Sequence, residues 1–169
     1  MIAHWIIEVV VIVVAAFAIA MLVQAFLVKP FSIPSGSMEP TIAIGDRVLV
    51  DRLIYHFRDP KTGDVVVFSS SIPGEGHLIK RVVAVGGDTV EVKAGALYVN
   101  GVRQHEKYLL DQNIQGSFAL MRVPAGSYFM MGDNRNDSAD SRVFGPVPKS
   151  AILGEAFAIY WPITRLHSL

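Results

Sequence analysis

His77-Leu78-Ile79-Lys80-Arg81-Val82-Val83-Ala84-Val85, followed at once by Gly86-Gly87-Asp88, decides how this chain is read. The run is rich in β-branched residues, too short for a typical helix, and closed by a tight-turn signal, so it reads as a strand. Runs of the same kind flank it. Arg47–Tyr55, Asp64–Ser69, Thr89–Lys93, Ala96–Asn100, Ser127–Met131 and Ile152–Trp161 are Val-, Ile-, Tyr- and Phe-rich and are punctuated by Gly, Pro, Asn and Asp. Asn100-Gly101 falls between two runs, where it signals a hairpin. Past the N-terminus, the expected helix is a single turn near Pro148–Ala151. So many short strands joined by turns predict a mostly β body, an antiparallel folded sheet or barrel-like structure, with residues 94–126 as a small excursion from the main sheet.

The first 29 residues obey a different pattern. Val9 to Val23 is unbroken Ala, Val, Ile, Leu, Met and Phe, and extension to Trp5 and Val28 admits only Glu8 and Gln24 as polar residues. As a helix, residues 5–28 would measure roughly 36 Å, against a hydrocarbon core of about 30 Å. Trp5 and Lys29 stand where interfacial anchors belong, and Pro30 is expected to stop the helix. No Lys or Arg lies in residues 1–4, so the basic region of a cleavable leader is missing. Residues 1–29 are therefore expected to be a retained single-span anchor in the lipid bilayer, with residues 30–169 as the β-rich body. Lys29 and Arg47 follow the span, which by the positive-inside rule alone would put the body in the cytoplasm.

Composition narrows the function classes. Hydrophobic residues make up 51% and charged residues 18% of the 169, too apolar for a disordered chain. Fifteen Lys and Arg balance fifteen Asp and Glu, so the basic excess of a nucleic-acid binder is absent. With no cysteine, disulfides, thiolate metal sites and a cysteine nucleophile are excluded. The five histidines form no HExxH pattern.

Three stretches can carry chemistry. The first is Phe31-Ser32-Ile33-Pro34-Ser35-Gly36-Ser37-Met38-Glu39-Pro40-Thr41, where Pro34, Gly36 and Pro40 impose an irregular backbone. A serine there can offer both an exposed hydroxyl and a free N–H, the two groups acyl transfer needs. Lys80 is the second. Strand alternation places it on one face with Leu78, Val82 and Ala84. A free lysine is neutral in about one molecule in 2,500 at pH 7, and desolvation on an apolar face raises that fraction. The third, Gly132-Asp133-Asn134-Arg135-Asn136-Asp137-Ser138-Ala139-Asp140-Ser141-Arg142, offers Arg135 and Arg142 as bidentate partners for Asp133 and Asp140, a network that would hold Ser138 rigidly. A calcium loop fits it poorly, because Arg135 falls where an oxygen ligand is needed. His77 leaves a Ser-His-Asp alternative open for Ser37.

In this order, the stretches resemble the bacterial type I signal peptidases. Ser35-Gly36-Ser37-Met38-Glu39-Pro40-Thr41 looks like the family's nucleophile box, and Gly45-Asp46-Arg47-Val48-Leu49-Val50 like the next. Lys80 to Asp88 looks like the lysine box, and Gly132-Asp133-Asn134-Arg135 through Asp140-Ser141-Arg142 like the last. The resemblance implies a Ser/Lys-dyad endopeptidase, with Ser37 as nucleophile and Lys80 as general base. Ser138 would orient the Lys80 amine. The Ser35 hydroxyl and Ser37 N–H would form the oxyanion hole, Asp140 and Arg142 would brace the site, and Asp133 and Arg135 would scaffold the loop. Ile33, Met38 and Ile79 would wall shallow pockets for an Ala-x-Ala cleavage motif. The implied substrates are exported preproteins, no cofactor or metal is expected, and the body is expected on the extracytoplasmic face of a bacterial plasma membrane, against the charge count. Alternatives are a Ser/Lys peptidase dedicated to one substrate, such as a conjugation-pilus protein, and a non-catalytic membrane-tethered β-domain.

Overall fold

The computed structural model describes residues 2–169, with side chains at 5–21 and 27–169. In chain order its elements are α1 (Ile2–Phe26), β1 (Val28–Ser32), β2 (Arg47–Asp51), α2 (Ile54–Phe57), β3 (Val65–Ser69), β4 (His77–Val85), β5 (Thr89–Lys93), β6 (Ala96–Val99), β7 (Val102–Arg103), β8 (Phe118–Arg122), β9 (Ser127–Met131), α3 (Ser141–Phe144), β10 (Val147–Pro148), β11 (Ile152–Trp161) and β12 (His167–Ser168). Two single 3-10 turns sit at Lys149–Ala151 and Ile163–Arg165.

The body is mostly β, with antiparallel pairing throughout. The main sheet runs β1-β2-β11-β3-β4-β9-β10, with β12 added on β11. The strand near the C-terminus thus inserts between β2 and β3. The second sheet, β7-β6-β5-β8, is inserted in the chain between β4 and β9. This is the expected excursion, but it starts at Thr89 rather than 94. The cause is the turn at Gly86-Gly87, where Gly87 takes φ 99° and the Asp88 carboxylate accepts from the Val85 N–H at 2.9 Å. The Asn100-Gly101 hairpin is present, with both residues at positive φ and Val99 paired to Val102.

Alternation along the central strands divides the core. Val65 and Val67 join Ile33, Met38, Ile42, Val48, Val50, Ile79, Ala156 and Ile159 in one cluster. Val66 and Phe68 join Tyr55, Val82, Tyr128, Met130 and Val147 in a second. A third cluster, including Ala84, Val90, Val92, Phe129 and Met131, ties the two sheets together.

Three local expectations are corrected. The Arg47–Tyr55 run is a strand only to Asp51. There the Asp51 carboxylate accepts from the N–H groups of Leu53 and Ile54, at 2.8 and 3.1 Å, and turns the chain into α2. Ala84 does not continue the face of Val82, because a β-bulge against β9 falls between them and reverses the alternation. Helix α1 ends at Phe26, and Pro30 lies on β1, an edge strand paired only with β2, where its missing N–H costs no ladder bond.

The backbone of α1 is helical for 25 residues. Its described side chains, 5–21, are exposed throughout. Among the described residues no helix is long and apolar enough to cross a membrane. Of the expected anchor, Met1 and the side chains of 2–4 and 22–26 lie outside them.

Candidate active site

The segment between β1 and β2 is a loop closed at its base. The Ile33 N–H donates to the Asp46 carbonyl (3.0 Å) and the Gly45 N–H to the Ile33 carbonyl (2.9 Å). The Asp46 carboxylate is buried, takes the Ala43 N–H at 2.8 Å and pairs with the Arg165 guanidinium at 3.0 Å. Ser37 lies inside this loop, and a second loop grips its backbone. The Asn134 N–H donates to the Ser37 carbonyl (3.1 Å), and the Asn134 side-chain amide to the Gly36 carbonyl (3.2 Å). Among the described residues the Ser37 N–H finds no acceptor.

Lys80 comes from the middle of β4, in register with Val66 of β3. It is 2% exposed, and its Nζ lies 2.7 Å from Ser37 Oγ. Burial strips water from the ammonium and lowers the Lys80 pKa below its ordinary value, while the charges of Asp140, Glu75 and Asp133 oppose the shift. Ser35 Oγ stands 3.5 Å from Ser37 Oγ. His77 is exposed and turns its ring edge-on to Phe31, with centroids 6.0 Å apart. The hydrogen-bond partners of the Ser37 hydroxyl are Lys80 and Ser35.

The loop 132–142 packs behind this pair. Asp140 and Arg142 form the expected bidentate pair, Nε–Oδ1 2.9 Å and Nη2–Oδ2 2.8 Å, and Asp140 also accepts from the Gly132 N–H at 3.2 Å. Asp133 and Arg135 do not pair with each other. Asp133 takes the fork of Arg81 (2.9 and 2.7 Å) and the Thr41 hydroxyl (2.6 Å). Arg135, with no exposed side-chain surface, takes both oxygens of Glu106 at 2.6 and 2.7 Å. The two buried carboxylates of the loop, Asp133 and Asp140, are thus neutralised by guanidinium groups. Among the described residues no group of three or more His, Cys, Asp or Glu side chains could hold a metal ion.

Ser138 Oγ is buried and, among the described residues, has no hydrogen-bond partner. It lies against Gly132, where a Cβ would stand 2.4 Å from Ser138 Oγ and 2.4 Å from the Ser37 carbonyl oxygen. Gly132, Asn134, Thr41 and Arg81 therefore shape the site without having been singled out from sequence. Only Arg81, adjacent to Lys80 on an apolar strand, carried a signal: a second buried cation needs a carboxylate. Ile33, Met38 and Ile79 sit together in one core cluster, Met38 fully buried and the other two 3% and 8% exposed.

A hydroxyl, a water-stripped amine and an N–H without an acceptor, held on two loops and a central strand, are the parts of an acyl-transfer centre. Comparison with known proteins gives the family. Residues 6–161 match the family model described as signal peptidase, peptidase S26. The chain is 40% identical over 161 residues to a probable signal peptidase I-1 of Synechocystis sp., covering 91% of this chain and 82% of that protein. It is 39% identical to thylakoidal processing peptidase 1, chloroplastic, of Arabidopsis thaliana, covering 89% of this chain and 47% of that one. Among solved structures, a signal peptidase I from Enterococcus faecalis V583 superposes with a TM-score of 0.51 at 34% identity, over 58% of this chain and 97% of that one.

Proposed function

The chain belongs to the peptidase S26 signal peptidases, and from that premise we propose that it is a membrane-tethered serine endopeptidase that removes signal peptides from exported preproteins with a Ser37/Lys80 dyad. The observation that carries this reading is the 2.7 Å approach of Lys80 Nζ to Ser37 Oγ, with the amine 2% exposed.

The chemistry follows from that geometry. Neutral Lys80 takes the Ser37 hydroxyl proton as Oγ bonds to the scissile carbonyl carbon. The carbonyl oxygen gains the charge and is met by the Ser37 N–H and the Ser35 hydroxyl. Loss of one such donor typically costs about 3 kcal/mol in the transition state. The C–N bond breaks, the Lys80 ammonium returns the proton to the leaving amine, and the mature protein departs. The signal peptide remains as an ester on Ser37. Lys80, neutral again, takes a proton from water as its oxygen bonds to the ester carbonyl carbon; the C–Oγ bond then breaks, the Lys80 ammonium returns the proton to Ser37 Oγ, and the peptide leaves as a carboxylate. The buried strand supplies by desolvation what a His-Asp pair supplies elsewhere: a base that gives up its proton more readily than a solvated lysine.

Substrates of this class carry an apolar segment that holds them at the bilayer. Tethering by residues 1–29 places the body there too and raises the effective concentration of cleavage sites. We place the body on the extracytoplasmic face, where those sites emerge, with the small residues of an Ala-x-Ala motif against Ile33 and Ile79. Ser138 keeps in this reading the role of orienting the amine; its buried Oγ lies beside Gly132 and makes no hydrogen bond among the described residues. The test is incubation of the full chain, in detergent, with one Ala-x-Ala preprotein, mapping the cut by mass. Cleavage after the second alanine is expected from the wild type and none from Ser37→Ala or Lys80→Ala. Cleavage by either variant at the wild-type rate would refute the dyad.

A further inference from the structure

The stretch 104–117, between β7 and β8, has no regular structure, yet it is fastened at both ends and in the middle to the groups behind the dyad. Near its C-terminal end Ile114 is buried in the cluster between the sheets, and its N–H donates to the Gly95 carbonyl at 2.9 Å. From there the stretch reaches the loop 132–142. The Asn136 amide donates to the Asp111 carboxylate (3.1 Å) and the Asn113 carbonyl (3.0 Å), and its oxygen accepts from the Gln115 N–H (2.8 Å). At the other end the Glu106 carboxylate holds the Arg135 fork. The Tyr108 hydroxyl donates to the same carboxylate at 2.6 Å, while its ring lies 4.1 Å below the Arg81 guanidinium carbon.

What the strap holds is one step from the nucleophile. Arg135, fixed by Glu106, donates through Nε to the Gly132 carbonyl at 2.9 Å. Gly132 touches the Ser37 carbonyl, and Asn134, between Gly132 and Arg135, clamps the carbonyls of Gly36 and Ser37. A fully buried guanidinium cannot stay in place once its carboxylate loses charge; it moves toward water, taking its loop along. The loop's displacement falls on the peptide that carries the Ser37 hydroxyl and N–H.

We propose that Glu106 is a positioning residue for Ser37, acting through Arg135 and Asn134, and that the strap 104–117 is a buttress of the active site rather than a surface connection. The proposal rests on Ser37 being the nucleophile. It places the strap's effect on the chemical step and leaves Lys80 in its buried surroundings.

The test measures kcat, KM and the pH profile of preprotein cleavage for the full chain in detergent, with folding followed by circular dichroism and thermal melting. Glu106→Gln removes the charge and keeps the shape. Its kcat is expected to fall at least tenfold, about 1.4 kcal/mol, with KM within twofold and the alkaline limb at its wild-type position. Asn136→Ala cuts the strap's other tie at an exposed site without burying a charge, and its kcat should fall about threefold with the same unchanged KM and limb. If Glu106→Gln does not fold, Asn136→Ala decides. Folded variants with wild-type kcat, or a loss that appears only in KM, overturn the proposal. Cleavage that survives Ser37→Ala overturns the reading beneath it; wild-type kcat in the strap variants beside an inactive Ser37→Ala overturns the buttress alone.

Discussion

Replacing Gly132 by alanine tests the packing of the site with a single methyl group. The φ of Gly132 is not in the left-handed region, so alanine can adopt the backbone, and the cost is steric. The new Cβ would stand 2.4 Å from both Ser138 Oγ and the Ser37 carbonyl oxygen, where ordinary contact begins at 3.4 Å. About 1 Å of separation must be found. Ser138 can rotate, but the Ser37 carbonyl is backbone and already accepts from the Asn134 N–H at 3.1 Å, so the peptide bearing the nucleophile must shift. A misplacement of about 1 Å costs a reacting group on the order of 100-fold in rate, or about 2.7 kcal/mol. The overpacking should also cost about 1–3 kcal/mol of stability. Single-turnover cleavage of an Ala-x-Ala preprotein separates the two effects, because the rate is read on folded enzyme. A folded Gly132→Ala variant within threefold of the wild-type single-turnover rate would refute the argument that Gly132 sets the position of Ser37.

Further outcomes follow from the same contacts. Asp133→Asn leaves the Arg81 guanidinium, 8% exposed, without its carboxylate; unfolding in urea should register a loss of about 3–5 kcal/mol, and a loss under 1 kcal/mol would contradict the buried pair. His77→Ala should cleave within threefold of wild type, whereas a loss as deep as that of Ser37→Ala would transfer the base role to histidine. Stability should also depend on pH through Lys80. Its folded pKa is lowered below the ordinary 10.5, so between that lowered value and 10.5 the unfolded chain holds a proton the folded one lacks. Stability from this group therefore rises with pH across that window and is flat above it. The urea midpoint of Lys80→Met should exceed that of the wild type most at low pH and converge on it as pH rises. A gap that widens with pH would reverse the sign.

Much of this was legible because it is local. β4, β5, β9 and β11 lie where valine, tyrosine and phenylalanine runs end at Gly, Pro or Asp, and the Asn100-Gly101 turn is encoded in two residues. The pairing of Asp140 with Arg142 spans two positions and could be seen by spacing. Its counterpart could not. Asp133 is nearer in sequence to Arg135 than to Arg81, 52 residues away, and Arg135 finds Glu106 at a separation of 29. Both partners are chosen by which strands and loops become neighbours, which spacing along the chain does not record. The irregular composition of 94–126 likewise conceals β7, β8 and the strap 104–117, because the two strands are short and the strap's contacts are made by single side chains with no period. Strand β1 was hidden by Pro30, a residue that argues against a strand except at an edge.

The account turns on the protonation of one amine, and titration of that amine tests it most directly. Full-length chain with labelled lysine side chains, in detergent micelles, allows the Lys80 Cε resonance to be assigned by its loss in Lys80→Met and followed by NMR from pH 6 to 11. The account predicts a midpoint well below 10.5 that coincides with the alkaline limb of cleavage. A Lys80 that titrates at its ordinary value, or a midpoint displaced from the kinetic limb, would contradict it.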